Sequence, residues 1–192
     1  MEMSSGDETL PPGSALDRES IRKRLQPLAP LVEGYLSLET QLQPNGFDLS
    51  LSSIAVFENL ATASGVLTTD DSGRRLAKTS PLEYGTGGSI HLDPGCYLTI
   101  FNEVVHLPLD LMALGRPRSS LLRSGVALHT AVWDAGYSGR SQALLVVYHP
   151  QGFTLSHNAR LMQLVFFRLE KPLVKGYAGQ YQGEGLAQKI ID

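Results

Sequence analysis

The 192 residues are enough for one domain with a full core, or for one domain plus terminal arms. Apolar residues make up 42% and charged residues 18%, as in ordinary soluble proteins, and a formal net charge of -3 supplies no basic field for DNA or RNA. The single cysteine, Cys96, excludes an intrachain disulfide and a multi-cysteine zinc site, and it fits a cytoplasmic location.

No apolar run approaches the ~20 residues of a membrane span. The opening MEMSSGDETLPPGS lacks the apolar stretch of a signal peptide. Residues 1–13 are polar, with Pro11, Pro12 and Gly13, and are expected to be disordered. Ser14 or Asp17 would cap a short helix through about Leu25, which Pro27 and Pro30 end. Residues 31–36 suit a strand or a second short helix.

Asn45-Gly46 signals a turn. Beyond it Phe47, Leu49 and Leu51 alternate with Asp48, Ser50 and Ser52, which predicts a strand buried on one face. Residues 60–84 read as hairpins, with a turn at 71–73. The glycines of 83–90 are not followed by Gly-Lys-Ser/Thr, so this is a surface loop and not a phosphate loop. A turn at 93–96 leads to a strand apolar on both faces, Tyr97, Thr99 and Phe101 alternating with Leu98 and Ile100. Residues 104–106 and 109–114 suggest a further strand and a connection, broken at Pro108, and 119–123 one helical turn. Strands are expected at 126–132, 143–148, 153–156 and 161–169, with turns at 136–139 and 149–152. Beyond Pro172 the sequence GYAGQYQGEG predicts a mobile C-terminal arm over 173–192, leaving 14–172 as the domain. Many short strands with few helices predict an all-β fold, a β-barrel or jelly-roll-like sandwich with a short N-terminal helix.

The densest chemistry lies at 116–139, RPRSSLLRSGVALHTAVWDAGYSG. Arg118, Ser119 and Ser120 offer a guanidinium fork and two hydroxyls, a set suited to a multiply charged phosphate chain. Arg123 follows one helical turn later. Asp134 can accept a proton from water, and Tyr137, in a glycine turn, can stack on a base. Together they suggest hydrolysis or capture of a nucleoside triphosphate. The five histidines show no ligand-type spacing.

Five segments in this order and spacing carry a resemblance: QLQPNGFDLSL (41–51), GRPRSSLLRSGV (115–126), AVWDAGYSGR (131–140), NARLMQLVF (158–166) and YAGQYQGEG (177–185). The sequence resembles the superfamily of trimeric dUTP diphosphatases and dCTP deaminases, most closely its archaeal-type dUTP diphosphatases. The resemblance implies a distorted β-barrel of the dUTPase-like β-clip type, a homotrimer with sites at subunit contacts, and Mg²⁺-dependent hydrolysis of dUTP to dUMP and pyrophosphate. Arg118, Ser119 and Ser120 would hold phosphates. Asp134 would contact the sugar and orient or deprotonate the attacking water, with Arg123 beside it in the catalytic set. Tyr137 would lie under the deoxyribose and Gln163 would reach phosphate from a neighbouring subunit. Tyr177, Tyr181 and Gln182 would close over the nucleotide, and Asp48 would support the metal through water.

The deaminases of that superfamily need a glutamate on the strand after the Gly-Tyr-x-Gly turn. The matching position falls near Leu144, and residues 141–147 contain no carboxylate. Hydrolysis is therefore favoured over a dCTP deaminase or a bifunctional enzyme. A non-catalytic nucleotide-binding protein is the alternative from another class. The segment between Arg123 and Asp134 is shorter than in most members, and the arm ends in Gln-Gly-Glu instead of a Ser/Thr motif.

Overall fold

In the computed structural model, residues 11–25, 30–70 and 72–186 are described. Expectations for residues 1–10, Pro27, Asp71 and residues 187–192 lie outside them. Asp17, not Ser14, starts the first helix: its Oδ1 accepts the Ser20 N–H at 2.7 Å, capping α1 (Arg18–Lys23) and leaving Ile21 in the core. Residues 31–36 contain a strand, β1 (Val32–Glu33), and the next helix, α2 (Leu38–Gln41), begins beyond them.

β2 (Leu42–Gln43) turns at Pro44-Asn45 into the long β3 (Gly46–Phe57). There follow β4 (Thr79–Pro81), β5 (Ser89–Leu92), β6 (Gly95–Phe101), β7 (Val104–His106) and β8 (Leu111–Pro117). The predicted helical turn is α3 (Ser119–Arg123). Then come β9 (Val126–His129), β10 (Val132–Trp133), β11 (Ser138–Gly139), β12 (Gln142–Val147), β13 (Phe153–Ser156) and β14 (Arg160–Arg168).

The main sheet runs β10-β8-β14-β3-β6-β12-β9, antiparallel throughout, with β2 and β4 pairing along β3. It curls into a half-barrel, in keeping with the all-β, barrel-like fold that the strand pattern predicted. β1-β7-β11 and β13-β5 form two smaller sheets. Phe47, Leu49, Leu51, Phe101, Leu145, Leu164 and Phe166 are fully buried inside. Each such side chain contributes about 1.5–3 kcal/mol relative to an exposed one. Among the described residues no helix is long and apolar enough to cross a membrane.

Three local readings change. Residues 46–51 are buried on both faces, not one. The second face is covered by α2 and the β6–β7 loop, through a fully buried carboxylate. Glu103 accepts from Gln41 Nε2 at 2.6 Å, Ser50 N at 2.8 Å and Ser50 Oγ at 2.6 Å. Burial pushes its pKa up, against these hydrogen bonds. The strand predicted at 126–132 breaks after His129, so that β9 and β10 join opposite ends of the main sheet. The turn predicted at 136–139 sits at Ala135-Gly136, which lets Ser138–Gly139 pair with β7 as β11.

Residues 173–186 lie along the barrel. Leu173 N donates to Leu109 O at 2.9 Å, Tyr177 N to Ala135 O at 2.8 Å and Gly183 N to Ser138 O at 2.8 Å. The contact needs glycine on both sides. Gly136 has φ +86°, and a Cβ there would meet Gly176 Cα at 2.7 Å and Tyr177 N at 2.9 Å.

Candidate active site

The predicted site residues fall into separate groups on one chain. The first group is built on β3, β14 and β8. Antiparallel partners share a face. Gln163 therefore stands abreast of Asp48 on one side and Arg116 on the other. Asp48 is only 3% exposed, and two guanidinium groups converge on its Oδ2: Arg160 Nη1 at 3.1 Å and Arg118 Nε at 3.5 Å. Burial pushes the Asp48 pKa up, while the two arginines pull it back down. Arg118 is anchored by its own N–H, which donates to Leu161 O at 2.9 Å. Arg160 also donates to the carbonyl of Thr40.

Gly46 makes room for this face. A Cβ there would strike Leu164 O and sit 2.8 Å from Gln163 Nε2. Ser119 and Ser120 open α3 beside Arg118 and are exposed. The group thus offers partly exposed guanidiniums, an amide and two hydroxyls, a donor set for phosphate oxygens.

The second group lines a cleft of about 270 Å³ formed by the β10–β11 turn, the start of β12 and the C-terminal segment. Asp134 lies on its wall, exposed, and among the described residues its carboxylate has no hydrogen-bond or ion-pair partner. Tyr137 is buried. Its hydroxyl donates to Glu184 Oε1 at 2.8 Å and lies 3.3 Å from Ser141 Oγ, which in turn accepts from Trp133 Nε1 at 2.6 Å. Burial drives the Tyr137 pKa far up, and burial also raises that of Glu184. The rings of Tyr137 and Tyr177 meet edge-on at 5.9 Å. Tyr181 lines the cleft, and Gln182 bridges the turn, donating to Gly136 O and accepting from Ser138 N, both at 3.0 Å.

Asp134, Tyr137, Tyr177 and Tyr181 are therefore brought together, and so are Asp48, Arg118 and Gln163. None of the second set lines the Asp134 cleft. Arg123 joins neither: it edges another cleft with His91 and His149. Sequence reasoning did not single out Arg160, Glu103, Gln41, Trp133 or Ser141. A tryptophan directly before the Asp-Ala-Gly-Tyr segment and a serine four residues after it were the available signal for the last two. Arg160 and Gln163 are three residues apart, which places them on opposite faces of a regular strand.

A family model described as dCTP deaminase-like matches residues 15–169. A protein of Methanosarcina mazei named "Probable deoxyuridine 5'-triphosphate nucleotidohydrolase" is 47% identical over 169 residues, covering 88% of this chain and 96% of that one. One of the same name from Archaeoglobus fulgidus is 44% identical over 173 residues, covering 90% and 98%. Among solved structures, the 2'-deoxycytidine 5'-triphosphate deaminase of Agrobacterium tumefaciens superimposes with a TM-score of 0.60 at 21% identity, covering 82% of this chain. The chain spans about half (49%) of that deaminase chain, and the likeness is one of fold.

Proposed function

The chain belongs to the dCTP deaminase-like family, and on that premise we propose that it hydrolyses dUTP to dUMP and pyrophosphate. The observation that carries this reading is the unpartnered Asp134 carboxylate on the wall of an aromatic cleft. The naming of relatives at 44–47% identity as deoxyuridine triphosphate nucleotidohydrolases supports it. Deamination would need a carboxylate on the strand after the turn, and β12 reads QALLVV. The cleft's other carboxylate, Glu184, accepts from the Tyr137 hydroxyl.

In this mechanism Asp134 orients a water and takes its proton as the bond between the α and β phosphates breaks. Tyr137 lies under the deoxyribose, where its ring disfavours a ribose 2′-hydroxyl. Arg118, Ser119, Ser120 and Gln163 hold the phosphate chain; Arg123, which edges a different cleft, takes no part in holding it. Since the phosphate cradle does not line the Asp134 cleft of its own chain, the two meet across subunits of a homotrimer. The exposed Leu114, Leu122, Val132 and Tyr148 supply apolar surface for that contact. Residues 173–186 lie over the cleft, with Tyr177, Tyr181 and Gln182 closing over the bound nucleotide.

The donor set fits Mg²⁺ carried in on the triphosphate. Among the described residues no three His, Cys, Asp or Glu side chains converge, as suits an ion that keeps its waters and takes phosphate oxygens. Both arginine contacts fall on Asp48 Oδ2, so Oδ1 would hold the ion indirectly, through water. When bound, Mg²⁺ neutralises phosphate charge and fixes the conformation of the chain.

Product analysis of the purified protein with each dNTP and Mg²⁺ tests the reading. Pyrophosphate and dUMP from dUTP are expected, with Asp134→Asn slower by roughly 10²–10⁴-fold. Ammonia from dCTP, or full activity in Asp134→Asn, would overturn it. A stable monomer by sedimentation would remove the shared site.

A further inference from the structure

β14 carries a bulge. Gln163 pairs with Asp48 and Met162 with Leu49, but Arg160 pairs with Ser50, so Leu161 is an extra residue in the register. In an unbroken strand Arg160 would point away from Gln163. The extra residue turns it back onto the face that holds Asp48, Gln163 and the Arg118 guanidinium. Bulges of this kind re-aim a side chain, and they are frequent beside functional sites.

Arg160 arrives there with donors to offer. Its Nη1 serves Thr40 O and Asp48 Oδ2, and among the described residues Nε and Nη2 have no acceptor. The side chain is 29% exposed, close to the 33% of Arg118. One buried carboxylate oxygen thus holds two partly exposed arginine side chains side by side. Such a pair carries net positive charge and presents several N–H groups outward, an arrangement suited to a polyphosphate and not to a single monoanion.

We propose that Arg160 is a second phosphate-holding arginine, delivered by the Leu161 bulge and aligned with Arg118 through Asp48. The assignment rests on the reading of the Arg118 face as a phosphate cradle. Arg160 binds the chain in ground and transition states alike, so its loss raises KM and leaves kcat nearly unchanged.

The test uses full-length Arg160→Gln and Arg160→Lys, with two readouts: steady-state kinetics on dUTP with Mg²⁺, and the rise in Tm given by inorganic tripolyphosphate. For Arg160→Gln, KM should rise about 10–100-fold, the loss of a charged hydrogen bond or two, with kcat within about threefold. Its tripolyphosphate-induced Tm rise should shrink, and Arg160→Lys should recover part of both. A lowered Tm with an unchanged tripolyphosphate response and unchanged KM would make Arg160 a structural ion-pair partner only and overturn the assignment. If the wild type fails to cleave dUTP yet tripolyphosphate stabilises it through Arg160, the cradle stands and the proposed substrate falls. If dUTP is cleaved and both variants match the wild type, the reverse holds.

Discussion

Glu103 offers the sharpest test of how the barrel holds its second buried face. Its carboxylate accepts three hydrogen bonds, from Gln41 Nε2, Ser50 N and Ser50 Oγ, and no cation pairs with it among the described residues. Glu103→Leu strands three buried donors at about 1–3 kcal/mol each, or roughly 3–9 kcal/mol. That is comparable with the whole stability of a domain, about 5–15 kcal/mol, so this variant should be marginal or unfolded. Glu103→Gln keeps one acceptor oxygen and turns an amide toward one donor, costing about 1–3 kcal/mol. The pH dependence identifies the carboxylate itself. Its pKa in the fold is raised above the ordinary 4.5, so the native state holds the proton more tightly than the unfolded chain. The stability it contributes is then full below about 4.5 and declines as pH rises through the raised value. Urea denaturation of wild type and Glu103→Gln at a series of pH values reads this directly, and the wild-type advantage should narrow upward from about pH 4.5. A gap that stays constant, or a Glu103→Leu protein as stable as wild type, would refute the argument.

Other outcomes follow from the Asp134 cleft. Gly136→Ala forces a side chain onto Gly176 and Tyr177 N from a left-handed backbone position, at a cost of order 1–3 kcal/mol. The C-terminal segment should detach, seen as faster proteolysis within 173–186 while the barrel stays intact; an unchanged digestion pattern would count against the docking contact. Trp133 is the one tryptophan of the chain and lines the cleft beside Asp134. Its fluorescence should therefore change when dUTP binds, and it should not respond to tripolyphosphate alone. An emission spectrum indifferent to saturating dUTP would place the nucleotide elsewhere.

Much of the fold was legible because its signals are local. The Asp17 cap, the Pro44-Asn45-Gly46 turn and the short strands each depend on a few neighbouring residues. What escaped depends on distant ones. Asp48 and Ser50 look like the wet side of an alternating strand, yet α2 and the β6–β7 loop cover them, and Glu103 sits 53 residues from Ser50. Arg118, Ser119, Ser120 and Asp134 stand out in one short run, but sequence closeness did not bring them to one cleft, because β10 runs antiparallel beside β8, which leaves Asp134 near the start of β8 and Arg118 beyond its end. Arg160 was hidden by its own spacing, since a bulge reverses the parity that alternation would assign.

The separation of the two half-sites on one chain has a genetic consequence. An allele broken only at the Arg118 face still carries a sound Asp134 cleft, and an allele broken at Asp134 still carries a sound phosphate face. In an assembly built as proposed, co-expressing the two dead alleles would regenerate working junctions wherever the sound halves abut. Neither allele would recover by mixing with itself.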